Sequence, residues 1–326
     1  MLLKDAKPGF NLKDFVQTTR DAYPNKCNDI VMARGTNKKA AYIFVEGLTD
    51  KDALDPHRAS NCTISPLNIP NKEGKKGVID FIKCCETYPC GKDIGLLGIV
   101  GVVDSDFDCV LEAKPPKLPS RAIYISSSPN DLESSVLCYQ GLQVLNELLP
   151  NQKNNNNIWL SPDTDYPEAF DKLVHYVVAP IGALRVACAN RGWGYKSLEP
   201  DKNTNLISRI WDSVNHLKSL DGDNLINLLS SEFSEQEKNN IRDLIQIELV
   251  KIKRNDSPWS YVRGKDLVYS IACALVSSPN PPRVQELRIM ALITKWFNSK
   301  VINGCELKKK ITEATIGDHG NWEYLK

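Results

Sequence analysis

The sequence predicts an α/β domain, with a mostly parallel sheet flanked by helices, followed by a C-terminal α-helical domain. Two short apolar runs rich in β-branched residues, 41–45 and 96–103, have the pattern of buried strands in a parallel sheet. Segments with helical spacing separate the strand-like runs up to residue 150, which is the alternation of a βαβ domain. From residue 164 onward helical periodicity dominates, and strand patterns nearly disappear.

Each element up to residue 150 has its own local signal. Residues 12–19 have the pattern of a short helix, and residues 29–34 alternate weakly before a turn, which predicts a β-hairpin with strand 41–45. Thr49 and Asp50 are both candidate caps of the next helix, because short side-chain oxygens accept hydrogen bonds from the first helical amides. The remaining predicted elements are a helix at 50–57, a strand at 61–64, a helix at 77–87, strands at 96–103 and 121–126, and a helix at 128–149.

Composition divides the chain into four segments. Residues 1–28 are polar and punctuated by Pro and Gly, and they are predicted to lead into a domain at 29–150. The Asn-rich stretch at 151–163 has the composition of a polar linker. The helical domain then covers 164–326, with predicted helices at 166–190, 206–217, 234–253, 264–276 and 282–297.

The composition is that of an ordinary globular protein. Forty-one basic and 40 acidic side chains leave a net charge of +1, so the overall field gives no support for nucleic-acid binding, although a local basic patch would suffice. No membrane association is predicted, because no apolar run reaches the about 20 residues of a membrane span. The N-terminus lacks the apolar core of a signal peptide, so we expect a cytoplasmic location.

The ten cysteines are scattered rather than grouped. Cys84, Cys85 and Cys90 lie close together in the chain, but the paired spacing of a structural zinc site does not accompany them. The other seven cysteines stand singly. We therefore expect most of them to be buried thiols in a reducing compartment, rather than zinc ligands.

Carboxylates follow both predicted core strands. Glu46 and Asp50 come after the first strand, and Asp104, Asp106 and Asp108 come after the second. Since ligands of open α/β sheets bind at the carboxyl ends of the strands, we expect these five side chains around one point. Like charges at such a point repel unless a cation neutralises them, and hard oxygen ligands select Mg²⁺ or Mn²⁺. The sequence therefore predicts a divalent metal site.

Three other motifs contain closely spaced aspartates. A calcium-binding EF-hand loop would require Gly and Glu at the positions of Cys109 and Pro115, so that motif is excluded. An aspartyl-phosphate phosphatase requires Thr or Val at the position of Phe107. A nucleotide-sugar glycosyltransferase explains the Asp-x-Asp pair but leaves Glu46 without a role, and it is kept as a weaker alternative.

Four segments together resemble the TOPRIM fold of topoisomerases, primases and OLD-type nucleases. The first two are Tyr-Ile-Phe-Val-Glu-Gly-Leu-Thr-Asp at 42–50 and Val-Val-Asp-Ser-Asp-Phe-Asp at 102–108. The other two are Asn-Asp-Leu-Glu-Ser at 130–134 and Arg-Gly-Lys-Asp-Leu at 263–267. With these the chain looks like the AriB-like branch, the effectors of the PARIS anti-phage defence system.

This resemblance implies a TOPRIM-like sheet within residues 29–150 and a metal-dependent nuclease activity. Cleavage of tRNA is the toxic activity known for such an effector, so RNA is the favoured substrate. The resemblance also implies an ABC-type ATPase sensor subunit that holds the effector until a phage protein is detected. Effector nucleases of this fold are expected to act as homodimers.

Glu46, Asp104 and Asp106 are the candidate catalytic residues that follow from this resemblance. Asp104 and Asp106 are the first-choice metal ligands, and Glu46 is either a third ligand or a general base. Asp108 is expected as an outer ligand. Asp131 and Glu133 stand at the start of the next predicted helix, where each is either a further metal ligand or a cap of that helix.

Three further residues have both a functional and a structural interpretation. Asp50 is either a metal ligand or a helix cap. Arg263 and Lys265 are candidate nucleic-acid contacts, although cations at the start of a helix are more often solvated surface groups. The alternative function is a non-catalytic module, in which a bound metal shapes a surface that docks on an ATPase.

Overall fold

A computed structural model of the chain describes most of the protein. The predicted helix at 12–19 and the predicted linker at 151–163 lie outside the described residues. The described residues are 23, 26, 29, 30, 32, 40–67, 74–87, 98–111, 117–149, 165–193, 206–229, 233–254, 258–316 and 323–326.

The protein is an α/β structure with a four-stranded, all-parallel sheet flanked by helices. The strand order is β2-β1-β3-β4, and every neighbouring pair is parallel. This confirms the predicted α/β class and the predicted core strands, although β4 is shorter than the strand predicted at 121–126. The strands are β1 (Ala41–Val45), β2 (Cys62–Pro66), β3 (Ile99–Val103) and β4 (Ala122–Tyr124).

The strand order places a topological switch point between β1 and β3. From β1 the chain crosses to β2 on one side, and then returns to β3 on the other side. Phe44 of β1 is paired with Gly101 of β3, so the two strands end at the same edge of the sheet. Glu46 follows β1 directly, and Asp104 follows β3 directly. In open α/β sheets this edge at the switch point is where ligands bind.

The predicted hairpin before β1 is wrong. Among the described residues in that stretch, Asp29, Ile30 and Met32 are helical. The reason lies in the sheet, because β1 has parallel partners on both of its sides. Its backbone donors and acceptors are therefore already paired, and no edge of β1 is open to an antiparallel neighbour.

Helices cover the connections within the sheet. The first, α1 (Leu48–Leu54), starts earlier than predicted and has Gly47 as its N-cap, so neither Thr49 nor Asp50 occupies the cap position. A short 3-10 turn (Asp55–His57) follows α1. The second helix, α2 (Gly74–Thr87), begins three residues before the predicted start at residue 77.

The α2 helix packs tightly against the sheet because β3 contains a glycine. A Cβ on Gly101 would lie 2.8 Å from Val78 Cγ1 and 3.0 Å from Ile82 Cγ1, closer than side chains tolerate. The ring of Phe44 also meets the ring of Phe81 edge-on, with centroids 4.8 Å apart. These contacts pack β1 and β3, the two strands that precede the candidate site, against α2.

The chain forms two compact units. The first contains residues 1–103, 118–124 and 308–326, and the second contains residues 104–117 and 125–307. The sheet lies entirely in the first unit. The remaining helices are α3 (Leu132–Leu148), α4 (Tyr166–Lys172), α5 (Ala179–Asn190), α6 (Leu206–Arg209), α7 (Trp211–His216), α8 (Gly222–Ile226), α9 (Glu235–Arg254), α10 (Gly264–Val276), α11 (Arg283–Trp296), α12 (Ser299–Gly304) and α13 (Leu307–Ala314).

The predicted helices of the C-terminal half are present, but one of them is divided into two shorter helices. The segment predicted at 206–217 forms α6 and α7, separated at Ile210, whose backbone leaves the helical region. The segment predicted at 264–276 matches α10 at both ends. The short helices α8, α12 and α13 were not predicted, because each is too short to establish a period in the sequence.

A proline produces a π turn in the longest apolar helix. Helix α4 continues through a π turn (Leu173–Val178) into α5. Pro180 has no amide hydrogen with which to bond the carbonyl of Tyr176, the acceptor four residues earlier. The backbone widens there, so that Ala179 donates to the carbonyl of Val174. The Tyr176 carbonyl instead accepts a hydrogen bond of 2.9 Å from the amide of Leu220.

This continuous helical segment is also long and apolar enough to cross a membrane. It spans Tyr166–Asn190, and 78% of its most apolar window is buried inside the protein. Such burial is typical of a core helix. The prediction of no membrane association and of a cytoplasmic location stays a prediction.

The described cysteines agree in part with the expectation of buried thiols. Cys62, Cys188 and Cys273 are buried, and burial raises the pKa of each of these thiols to about 12. Cys109 is an exception, because it lies exposed after β3. Thiols with a raised pKa carry little thiolate at neutral pH, which makes them poor metal ligands and poor nucleophiles.

Candidate metal centre

The segment that follows β3 has an unusual backbone. We call residues 104–108 the carboxylate loop. Asp106 and Phe107 both adopt left-handed conformations, with φ of 46° and 70°. Such residues cost about 1–3 kcal/mol each, and the cost is greater for Phe than for Asp. The Phe107 side chain is buried, and its burial contributes about 2 kcal/mol toward that cost.

The left-handed turn separates the side chains of the carboxylate loop into two groups. Ser105 and Phe107 point into the protein and are buried. Asp106 is exposed, and Asp104 and Asp108 are partly buried. The turn therefore leaves all three carboxylates accessible to solvent, while the buried side chains of Ser105 and Phe107 anchor the loop.

Hydrogen bonds attach the carboxylate loop to a residue far along the chain. The amide and the hydroxyl of Ser105 both donate to the carbonyl of Asn130, at 2.8 and 2.9 Å. The amide of Asp108 donates to the Ser105 carbonyl at 2.8 Å, which closes the turn. Asn130 Nδ2 in turn donates to the carbonyls of Ser260, at 2.6 Å, and Val262, at 3.2 Å. Sequence reasoning did not identify Asn130 as part of the site, since no spacing pattern links it to Ser105.

Asp131 caps two helices at once. Its Oδ1 accepts the amide of Ser134, at 2.8 Å, as the N-cap of α3. Its Oδ2 accepts the amide of Gly264 at the start of α10, also at 2.8 Å. Two helix N-termini, each with partial positive charge, therefore face one carboxylate. This establishes the capping role for Asp131, and its role as a metal ligand stays a prediction.

Burial and neighbouring charge act on the protonation of Asp131. Desolvation raises the pKa of Asp131, and the hydrogen bonds from Ser134 and Gly264 partly oppose this effect. The negative charge of Asp106 raises the pKa of Asp131 further. Both residues belong to the second unit of the chain.

Gly264 allows α10 to reach this position. A Cβ at Gly264 would lie 2.4 Å from Glu133 Cβ and 2.5 Å from Asp131 Oδ1. Neither distance is sterically allowed, so the sequence requires glycine here for the two helix starts to meet. Glu133 is buried beside this contact. Its predicted role as a metal ligand is not tested by this placement.

The two candidate residues after β1 lie beside the starts of helices. The carboxylate of Asp50 accepts the amide of Gly47 at 2.9 Å, which completes the first turn of α1. Glu46 is partly buried, and its Oε2 lies 3.8 Å from the position that a Cβ of Gly74 would occupy, at the start of α2. Asp50 is therefore not the N-cap that the sequence allowed, although its carboxylate supports the start of α1, and a metal function for it stays a prediction.

The two candidate cations differ in their surroundings. Arg263 Nη1 lies 3.8 Å from Asp266 Oδ1, so its charge is partly balanced by an ion pair. Asp266 is shared, because its carboxylate also binds the buried guanidinium of Arg185 through two contacts of 3.0 and 3.1 Å. Lys265 is exposed on the first turn of α10. Sequence reasoning missed Arg185, which no motif marks.

The donor chemistry of the carboxylate loop fits a hard divalent cation. Asp104, Asp106 and Asp108 supply carboxylate oxygens, the ligands that Mg²⁺ and Mn²⁺ prefer. Within the parts of the chain that the structure describes, no group of three or more His, Cys, Asp or Glu side chains is already close enough to hold an ion.

Comparisons with known proteins add no further information. No protein-family model, curated protein or solved structure matches the chain. The family resemblance therefore depends on the four sequence segments alone.

Proposed function

We propose that this protein is a metal-dependent nuclease of the TOPRIM type, which cleaves phosphodiester bonds with Mg²⁺ or Mn²⁺. The observation that carries the proposal is the switch point of the sheet, because the two strands on either side of it lead directly into Glu46 and Asp104. The left-handed carboxylate loop is a second support. Left-handed residues outside helix ends, such as Asp106 and Phe107, are often found at functional sites.

The residues have separate roles in this proposal. Asp104 and Asp106 hold the ion, with Asp108 as an outer ligand. When bound, the ion supplies positive charge that polarises the phosphate and stabilises the leaving oxygen. Glu46 accepts a proton from the attacking water, which is the task of a general base. Arg263 and Lys265, at the start of α10, provide positive charge for the nucleic-acid backbone.

The biological setting follows from the family resemblance. We propose RNA, and in particular tRNA, as the substrate of a toxic effector in anti-phage defence. An ABC-type ATPase is the proposed regulatory partner, and the active species is proposed to be a homodimer in the cytoplasm.

Cleavage assays with metal titration test the proposed activity. We expect the purified protein to cleave RNA with Mn²⁺ or Mg²⁺, and Glu46→Gln and Asp106→Asn to lower the rate by on the order of 100-fold or more. Asp52→Asn is the matched control, because Asp52 is an exposed carboxylate on α1 near Asp50. Its activity should equal that of the unchanged protein. Metal-independent cleavage, or full activity in both site variants, would refute the proposal.

A non-catalytic binding module is the second candidate function. The carboxylates of Asp50 and Asp131 are both used in backbone hydrogen bonds, so these acidic segments have structural roles without any ion. This function predicts stable co-purification with an ATPase and no turnover of RNA or DNA at any metal concentration. Cleavage that depends on Asp106 would exclude it.

A further inference from the structure

We infer that Asn130 is the positioning residue of the metal centre, and that it sets metal affinity without contacting the ion. This inference rests on the proposed function. Asn130 is almost completely buried, with 1% of its surface exposed, and it stands between β4 and α3. Its functional importance arises from its hydrogen bonds, which connect three segments that are distant in sequence.

The first connection is to the carboxylate loop. The Asn130 carbonyl accepts both the amide and the hydroxyl of Ser105, and Asn130 Oδ1 is 3.3 Å from the same hydroxyl. Ser105 stands between Asp104 and Asp106 in the chain. Fixing Ser105 on both its backbone and its side chain therefore fixes the residues on either side of it.

The second connection is to the segment that leads into α10. Asn130 Nδ2 uses both of its hydrogens, one to the Ser260 carbonyl and one to the Val262 carbonyl. That segment is itself tightly seated, because a Cβ on Gly182 of α5 would lie 1.7 Å from the Tyr261 carbonyl oxygen. The carboxylate loop is thereby tied to the packed interior of the helical unit.

The third connection is made by the next residue, Asp131, which caps α3 and binds the amide of Gly264. Residues 130 and 131 together hold the carboxylate loop, the start of α3 and the start of α10 in one arrangement. Without the Asn130 side chain, the backbone carbonyl that accepts from Ser105 is no longer tied to residues 260 and 262, so it holds the turn with the left-handed residues Asp106 and Phe107 less firmly. The Asp side chains remain, but their arrangement loosens.

The expected effect is a loss of metal affinity rather than a loss of chemistry. Mutation of a residue that orients metal ligands through hydrogen bonds, without binding the ion itself, typically lowers metal affinity by about 10–100-fold. We expect Asn130→Ala to weaken Mn²⁺ binding by about that factor in calorimetric titration. We also expect saturating Mn²⁺ to restore most of the cleavage rate. Asp106→Asn should stay inactive at any Mn²⁺ concentration, because it removes a ligand.

Gln140→Ala is the matched control for the loss of a buried amide. Gln140 is on α3 and buried like Asn130, and its Nε2 donates to Asn298 Oδ1 at 3.2 Å, away from the carboxylate loop. We expect this variant to lose stability but to bind Mn²⁺ as tightly as the unchanged protein. Equal Mn²⁺ affinity in Asn130→Ala and Gln140→Ala would overturn the inference.

A milder variant covers the case in which Asn130→Ala does not fold. Ser105→Ala removes the hydroxyl that donates to Asn130 and keeps the backbone hydrogen bond, so its Mn²⁺ affinity should fall by a few-fold. Unchanged affinity in Ser105→Ala would then overturn the inference. The unchanged protein is measured first, since a chain that neither binds Mn²⁺ nor cleaves RNA overturns the proposed function and, with it, the positioning role. If the unchanged protein binds Mn²⁺ and cleaves RNA, the variants test the positioning role of Asn130 separately from the proposed function.

Discussion

The two acidic segments that follow the core strands are held in place by different means. After β1, the carboxylate of Asp50 binds the amide of Gly47, three residues earlier. After β3, the carboxylate loop is held by Asn130, 25 residues later, and Asn130 is held by Ser260 and Val262, more than 100 residues later still. The Asp50 bond is therefore local in sequence, whereas the carboxylate loop is joined through Asn130 to distant parts of the helical unit.

This difference predicts which mutations reach the candidate site. Changes deep in the helical unit should disturb the carboxylate loop and leave the segment after β1 unaffected. Changes near β1 should have small, local effects. The following predictions test this contrast, beginning with the largest expected effect.

Arg185→Met should have the largest effect. It leaves the buried carboxylate of Asp266 with only the more distant guanidinium of Arg263, and loss of a buried partner typically costs about 3–5 kcal/mol of stability. Urea unfolding measures the loss. The control is Lys218→Met, which removes an exposed ion pair with Asp212 and should cost far less stability. Similar losses in the two variants would mean that the buried pair does not secure α10.

Gly264→Ala should lower stability by about 1–3 kcal/mol or more, because its Cβ would overlap with Glu133 and Asp131. The equivalent change after β1, Gly47→Ala, places a Cβ at an ordinary 3.8 Å from Asp50 Oδ2. It should cost less than about 1 kcal/mol, the difference between these residues at an N-cap. Thermal unfolding of both variants compares the two segments directly, and the contrast fails if Gly47→Ala is the more harmful change.

Asp50→Ala separates capping from metal binding. Loss of its bond to the Gly47 amide should cost about 1 kcal/mol. Asp165→Ala is the control, because Asp165 caps α4 through the Glu168 amide and is far from any candidate ligand in sequence. If Asp50 binds metal, only Asp50→Ala will also weaken Mn²⁺ binding. Equal Mn²⁺ affinity in the two variants would limit Asp50 to its structural role.

The smallest effect is expected at the exposed far end of α3. Glu147 there binds Lys295 at 2.7 Å and the indole of Trp296 at 2.7 Å, and the hydrogen bond from Lys295 lowers the pKa of Glu147. Because its pKa is lower in the folded state, the ionised Glu147 stabilises the protein at pH values above the unfolded-state pKa. This stabilisation is lost as the pH falls through the folded-state pKa. Glu147→Gln should therefore lose less stability than the unchanged protein on acidification from about pH 5 to pH 3. Parallel pH profiles would contradict this.

The parts of the structure that sequence reasoning anticipated are those with local causes. The β-branched runs that became β1 and β3 and the apolar period that became α10 are examples, because burial on a regular element leaves a regular pattern. The acidic residues were found because they follow those runs directly. The hairpin before β1 failed since it depended on which strands β1 would pair with, and weak alternation carries no such information.

The parts that were not anticipated depend on contacts between distant residues. Nothing in the sequence indicates that Asn130 would bind Ser105, or that Asp131 would cap a helix that starts at residue 264. The buried Arg185–Asp266 pair was not anticipated either, because arginine and aspartate are residue types that usually lie on the surface. Buried polar networks become visible only when packing brings their members together.

The proline in the longest helix has a consequence for where that helix can reside. Its composition alone would suit a lipid environment, but the Tyr176 carbonyl finds its donor in Leu220, on a separate segment. In hydrocarbon a carbonyl without a donor costs several kcal/mol. Moving this helix into a bilayer would break the hydrogen bond from the Leu220 amide to the Tyr176 carbonyl, which only the folded chain supplies. The lack of an amide hydrogen on Pro180 therefore favours the protein interior over lipid for this helix.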